Sequence, residues 1–200
     1  PIINHKQTKM KKTIFIALVT LISQATVLAQ TSWKSDKAHS KLTFSVVHLG
    51  ISDIEGLFRN FDATITSTKA DFSDGVFELT ADVKSIDTEV EMRDNHLRSP
   101  DFFDAEKFDK ITFKSTSIKP AGKNKYTLSG NLTMHGITKA VSMNLLYRGT
   151  IVHPMNKTNV AGFQLTGLLK RSDFNIGPNF KAPIISDEVE IKADGEFAAK

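Results

Sequence analysis

Tyr126-Thr127-Leu128-Ser129-Gly130-Asn131-Leu132-Thr133-Met134, followed by His135-Gly136, decides the fold class. Apolar or small residues occupy every second position, with polar residues between them. Successive side chains of a strand point to opposite faces, so this stretch buries one face and wets the other. The glycine after His135 then supplies a turn. The same period of two recurs on both sides. Leu42, Phe44, Val46 and His48 share a face, as do Phe61, Ala63 and Ile65, then Phe77, Leu79, Ala81 and Val83, then Ile111 and Phe113. Val141, Met143, Leu145 and Tyr147 follow, then Ala161, Phe163, Leu165, Gly167 and Leu169, then Val189, Ile191, Ala193, Gly195 and Phe197.

Such a chain has about eight half-buried strands joined by short polar turns, among them Ser73-Asp74-Gly75 and Ala121-Gly122-Lys123-Asn124. The pattern is that of an antiparallel barrel or sandwich. One segment breaks the alternation. Thr88 to Leu97 is charged, and Val90, Arg93, Asp94 and Leu97 fall at helical spacing, which predicts a short helix capped by Thr88 and stopped by Pro100. With Phe102-Phe103 behind it, the insertion can serve as a lid or plug. Several inward positions are small: Ala63, Ala81, Gly130, Ala161, Gly167, Ala193 and Gly195. Small residues on an inner barrel face leave unfilled volume. The same residues equally serve tight bends or meet bulky partners across the core, and periodicity does not separate the two readings.

Residues 1–29 read as upstream residues 1–9 followed by an export signal that starts at Met10. Lys11 and Lys12 follow Met10, an apolar run spans Ile14 to Ile22, and Val27-Leu28-Ala29 offers a small residue before a cut. The run is too short and too interrupted by polar residues to predict a membrane span. Four of the 26 basic residues and none of the 22 acidic ones lie in 1–29, so residues 30–200 balance at 22 of each. A broad electrostatic footprint for nucleic acid is therefore absent. The chain has no cysteine, which excludes thiolate chemistry and disulfide staples. Residues 30–200 contain no linker and no repeat and read as one domain. Histidines 39, 48, 96, 135 and 153 lack metal-ligand spacing, so no metal and no other cofactor is expected. No Gly-x-Ser-x-Gly elbow occurs, and Ser40 beside His39 points to the opposite strand face.

An ordered set of motifs carries a resemblance. It comprises Trp33-x-x-Asp36-x-x-His39-Ser40-x-x-x-Phe44-x-Val46-x-His48, Gly56-x-Phe58, Arg93-Asp94-x-His96-Leu97-Arg98-Ser99, Asp101-Phe102-Phe103-Asp104, Leu132-Thr133-Met134-His135-Gly136-x-Thr138-Lys139, Arg171-Ser172-Asp173-Phe174 and Asp187-Glu188-Val189. Together they resemble the YceI-like family of bacterial polyisoprenoid-binding proteins from about Trp33 to Phe197. Pro100 and Asn131 depart from the expected pattern. The resemblance implies an all-β chain forming an eight-stranded antiparallel lipocalin-like barrel with a short inserted helix. It implies a periplasmic or secreted protein, not spanning a membrane once cut near Ala29, that is not an enzyme and holds an isoprenoid or other long-chain amphiphile. Quinones, polyprenyl phosphates and fatty-acid derivatives are all covered.

The residues expected to line the lumen are Phe44, Val46, Phe58, Leu79, Phe102, Phe103, Leu132, Met134, Phe163, Leu165 and Phe174. The cations and imidazoles that can meet a head group are His48, Arg93, His96, Arg98, His135 and Arg171, by pairing with a phosphate or donating to a carbonyl. Each also has a structural reading as an ion pair, cap or turn. Two rival classes stand beside the carrier: a lipid-modifying hydrolase, and a stress or adhesion module acting through its outer surface. A homodimer through an exposed edge is a further expectation.

Overall fold

Gly130 lies opposite Ser115 on one side and Val141 on the other, at the centre of a run of antiparallel strands. The computed structural model describes residues 29–200; the export-signal reading therefore falls outside the described residues, apart from Ala29. The strands are β1 (Thr31–Ser35), β2 (Lys41–His48), β3 (Ser52–Phe58), β4 (Phe61–Ser67), β5 (Val76–Asp82), β6 (Ile86–Asp87), β7 (Lys110–Gly122), β8 (Lys125–Met134), β9 (Ile137–Val152), β10 (Asn159–Lys170) and β11 (Glu188–Ala199). One helix, α1 (Glu91–Arg98), follows β6.

These strands close an eight-position antiparallel ring, β1-β4-β5-β7-β8-β9-β10-β11 and back to β1. Every inward face read from alternation is found inward. The sequence reading lacked β1, β3 and β6, and closure depends on them. β11 pairs with β1 through Phe197–Ala199 and with β2 through Glu190–Asp194. β2 pairs with β3, and β3 pairs with β6 at Leu57↔Asp87 and Phe58↔Ile86. Short strands thus share ring positions at the two ends of the barrel. A full-length partner is present at each end without one strand having to be long. Register shifts at Ser115/Ser117, Pro120/Gly122 and Gly162/Phe163 bend the long strands, as bulges do, and Pro120 sits at one of them, where its missing donor is tolerated.

Two hairpins turn tightly on residues of positive φ: Leu49-Gly50 (53° and 73°) between β2 and β3, and His135-Gly136 (49° and 72°) between β8 and β9. Both have the primed-turn form that matches strand twist. The N-cap of α1 is Val90, which makes no side-chain cap bond, so Thr88 is not the cap. Instead Asp94 reaches back and accepts from Thr88 N (2.8 Å) and Oγ1 (2.5 Å). The expected stop holds: α1 ends at Arg98, two residues before Pro100.

The β4–β5 connection is more than a polar turn. Phe72 is 1% exposed, and its ring packs on Trp33 (5.2 Å), Tyr147 (5.2 Å) and Phe163 (4.9 Å). It stoppers the end of the barrel where β1 and the last residues of β11 lie. Asp74 holds the stopper by accepting from Ser67 Oγ, Thr68 N (3.0 Å), Thr68 Oγ1 and Lys69 N (3.2 Å). Burial pushes its carboxyl up, and these donors overcome that and hold it far below the usual carboxylate range.

Phe72→Ala is expected to lower the unfolding free energy by about 3–5 kcal/mol in chemical denaturation. Asp74→Ala is expected to cost about 1–3 kcal/mol at pH 7. The folded-state pKa of Asp74 lies below its unfolded value of 3.8, so this contribution is present above about pH 4 and lost as pH falls below it. Denaturation curves of wild type and variant should therefore converge in acid.

Candidate functional site

The inner faces of β2, β3, β8, β10 and β11 do not meet at the end of the barrel opposite Phe72. Between them, α1 and the 171–187 connection lies a cavity of about 350 Å³. A second space of about 130 Å³ continues into the barrel, and Phe58, Met134, Leu169 and Ile191 line both. The larger space falls within the ~300–1,000 Å³ typical of ligand pockets.

The cavity is built by side chains from every neighbouring element. β2 supplies Phe44, Val46 and His48, and β3 supplies Ile54 and Phe58. Thr88, Arg93, His96 and Leu97 come from α1 and the residue stretch before it, and Phe102 and Phe103 from the segment after it. Leu169, Arg171, Val189 and Ile191 close the far wall. Leu79, Leu132, Phe163 and Leu165 line the inner space with Ala63, Ala193 and Gly195. The alternating strand pattern made these faces legible.

The small inward residues divide between the two readings. A Cβ on Gly130 would lie 2.5 Å from the Phe113 ring and one on Gly167 2.7 Å from Met143. Those glycines accommodate bulky neighbours and leave no void. Ala63, Ala193 and Gly195 do border the inner space. The larger cavity exists because α1 and the 171–187 segment roof the barrel without filling it.

Three expected site residues lie elsewhere. Phe174 is 1% exposed and lines neither space; it is core beneath the roof. Arg98 donates to Lys84 O (3.0 Å), Asn95 Oδ1 (2.9 Å) and Ile86 O (2.9 Å), which ties α1 to β6 and the turn before it. His135 forms the β8–β9 turn, sits 3.1 Å from Phe174 O through Nδ1, and packs edge-on to Phe108 at 4.7 Å. Neither Arg98 nor His135 borders the cavity.

Arg171 borders the cavity but is committed to the protein. Its guanidinium donates to the carbonyls of Ser186 (2.9 Å), Ile176 (2.9 Å), Gly177 (2.6 Å), Ile185 (3.2 Å) and Phe180. Burial pushes its pKa down, against the opposing pull of Asp187, and the planar fork reaches many acceptors at once. This one side chain holds a segment without regular structure in place, and Ile176, Phe180, Ile184 and Ile185 of that segment line the cavity. The sequence reading missed all four, together with Ile54 and Leu97. No periodic signal marks the stretch, and only its apolar content hinted at burial.

Three polar candidates remain at the cavity: His48, Arg93 and His96. Arg93 donates through Nε to Thr88 Oγ1 (2.7 Å) and through Nη2 to Thr88 O (2.7 Å); among the described residues Nη1 has no acceptor. His96 Nε2 lies 3.1 Å from Asp101 Oδ2, and its ring stands edge-on to Phe102 (5.0 Å) and Phe180 (5.3 Å). At the other end, His39 pairs with Asp36 at 3.0 Å while the Ser40 hydroxyl is buried with no partner among the described residues, so no hydrogen bond joins His39 to Ser40.

An antiparallel eight-stranded barrel, stoppered at one end and holding an apolar cavity under a helical roof at the other, is the class of protein that fold and site define. Residues 33–197 match the model of the YceI-like domain, and the chain belongs to that family. A UPF0312 protein of Staphylococcus aureus (strain N315) is 36% identical over 169 residues, covering 84% of this chain and 95% of the relative. The crystal structure of BcnA from Burkholderia cenocepacia superposes with a TM-score of 0.73 at 30% identity, over 81% of this chain and 98% of that one. A polyisoprenoid binding domain from Saccharophagus degradans shares the fold, with a TM-score of 0.67 at 16% identity over 86% of this chain and all of that domain.

Arg171→Met, which keeps length and removes all five donors, is expected to lower stability by about 3 kcal/mol. Amide hydrogen exchange should accelerate over residues 176–186 more than in the strands.

Proposed function

We propose that this protein is an exported, non-enzymatic carrier that sequesters an isoprenoid-tailed amphiphile of the quinone or polyprenyl phosphate type inside the barrel. One observation carries the reading: an apolar cavity of about 350 Å³ that runs on into a second one sharing four lining residues. A branched, flexible hydrocarbon chain suits such a space. Burying each five-carbon unit gains roughly 4 kcal/mol before ordering costs. The polyisoprenoid-binding domain with the same fold supports the class of tail. The signal-like residues 1–29 support export.

In this reading the tail follows Phe44, Phe58 and Met134 inward past Leu132 and Leu165. The head group stays near the roof beside His48, Arg93 and His96. The Nη1 hydrogens of Arg93 are available to a phosphate or carbonyl oxygen, and Thr88 pre-orients the guanidinium. Specificity then rests on few polar contacts, as in most pockets of this kind. The hydroxyl in the cavity lining, on Thr88, donates to Asp94 and accepts from Arg93 Nε, which commits it to the turn into α1 rather than to chemistry.

Mass spectrometry of organic extracts from purified protein is expected to find an isoprenoid lipid at close to one per chain. Clean extracts, together with failure to bind added polyprenyl lipids, would end the proposal. Phe44→Asp is expected to abolish tail binding in a folded protein. Phe163 is a poorer choice, because it is 4% exposed and packs on Phe72, Phe77, Tyr147 and Phe197, so a charge there attacks the fold. Arg93→Ala should weaken a polyprenyl phosphate about tenfold or more and a quinone less; equal loss for both would assign Arg93 a purely structural role.

A further inference from the structure

Large apolar side chains are exposed on three segments around the roofed end. Leu49 (50% exposed) and Ile51 (84%) form the tip of the β2–β3 hairpin, Met92 (81%) lies in the first turn of α1, and Ile184 (44%) lies in the segment pinned by Arg171. These segments border one opening. Leu49 N donates to Ile184 O at 3.1 Å, His48 pairs with Ile185, and His48, Arg93 and Ile184 line the cavity together. Ile184 is both lining and exposed, so the cavity reaches the surface there.

The hairpin tip is unusual in composition. Leu49 has φ 53° and Gly50 φ 73°, the two central positions of a primed turn. Asn, Asp or Gly is the normal occupant of the first position, and a branched apolar side chain there is strained. A strained turn that also presents its apolar side chain to water lacks a folding rationale, and strain of this kind gathers at functional sites. Nearby charges set the partner. Asp53, Glu89 and Glu91 are exposed on the hairpin and at the start of α1, while Lys181 is the exposed cation of the roof segment. Carboxylates in this position disfavour an anionic surface and tolerate ammonium-bearing zwitterionic head groups.

We propose that this rim docks on a zwitterionic phospholipid bilayer, with Leu49, Ile51 and Met92 entering the interface, so that the amphiphile passes between membrane and lumen without crossing water. This rests on the carrier reading for its cargo. The docking itself does not need cargo. Interfacial binding of this kind scales with buried apolar area and, lacking a basic patch, should not depend on salt.

The test uses vesicles of phosphatidylcholine and phosphatidylethanolamine, and a two-isoprene ubiquinone as probe. The wild-type protein, stripped of lipid, is expected to float with the vesicles, equally at low and high salt, and to take the probe from them. A triple variant, Leu49→Asn, Ile51→Ser and Met92→Ser, changes no cavity-lining residue and gives the turn a residue it favours. It should bind the dissolved probe within twofold of wild type, lose flotation, and take probe from vesicles at least tenfold more slowly. Ile51→Ser alone serves if the triple variant does not fold, with a smaller loss of both readouts. Wild type that binds dissolved probe but does not float overturns the docking proposal. A variant that floats and transfers like wild type does so too, as does a rim-to-rim dimer, seen by light scattering, that replaces vesicle binding. Wild type that floats but binds no probe sinks the carrier reading while leaving the docking surface supported.

Discussion

A buried guanidinium with five carbonyl partners holds the binding end of this barrel together. Arg171 directly follows β10, and its donors reach Ile176, Gly177, Phe180, Ile185 and Ser186. Carbonyls in an irregular segment need partners when they are buried, and the end of β2 reaches this one only at Ile184–Ser186. With the fork in place, the segment becomes a wall, and its isoleucines and Phe180 complete the cavity. A cation held by neutral carbonyls also loses much of its value as a head-group ligand, which is why the choice of polar contact narrows to His48, Arg93 and His96.

The two ends of the barrel solve opposite problems. At the stoppered end Phe72 fills the ring with an aromatic cluster, and Asp74 fixes the loop that delivers it. At the roofed end α1 and the pinned segment cover the opening without entering it. A cavity at one end therefore depends on what the connections do: Asp74 fixes one through the Thr68 and Lys69 amides and two hydroxyls, and Arg171 fixes the other through five carbonyls.

Alternation proved a sound guide to which side chains face inward and a poor guide to how much room they leave. Gly130 and Gly167 looked like missing volume, but Phe113 and Met143 occupy it. Alternation says nothing of what stands across the barrel, because the partner is set by register and by the bend of another strand. The polar candidates divided for a similar reason. Arg98 and Arg171 were chosen for charge, and charge does not reveal that nearby carbonyls already claim their donors.

Residue order alone determined the strand faces, the short helix ahead of Pro100, the family and the greasy character of the interior, since each is written in local period or in motifs of fixed spacing. Tertiary structure decided ring closure through paired short strands, the stopper at Phe72, the roof held by Arg171 and hence the cavity itself. Those features depend on contacts between residues far apart in the chain, as between Phe72 and Phe163 or His48 and Ile185, whose packing no local pattern encodes.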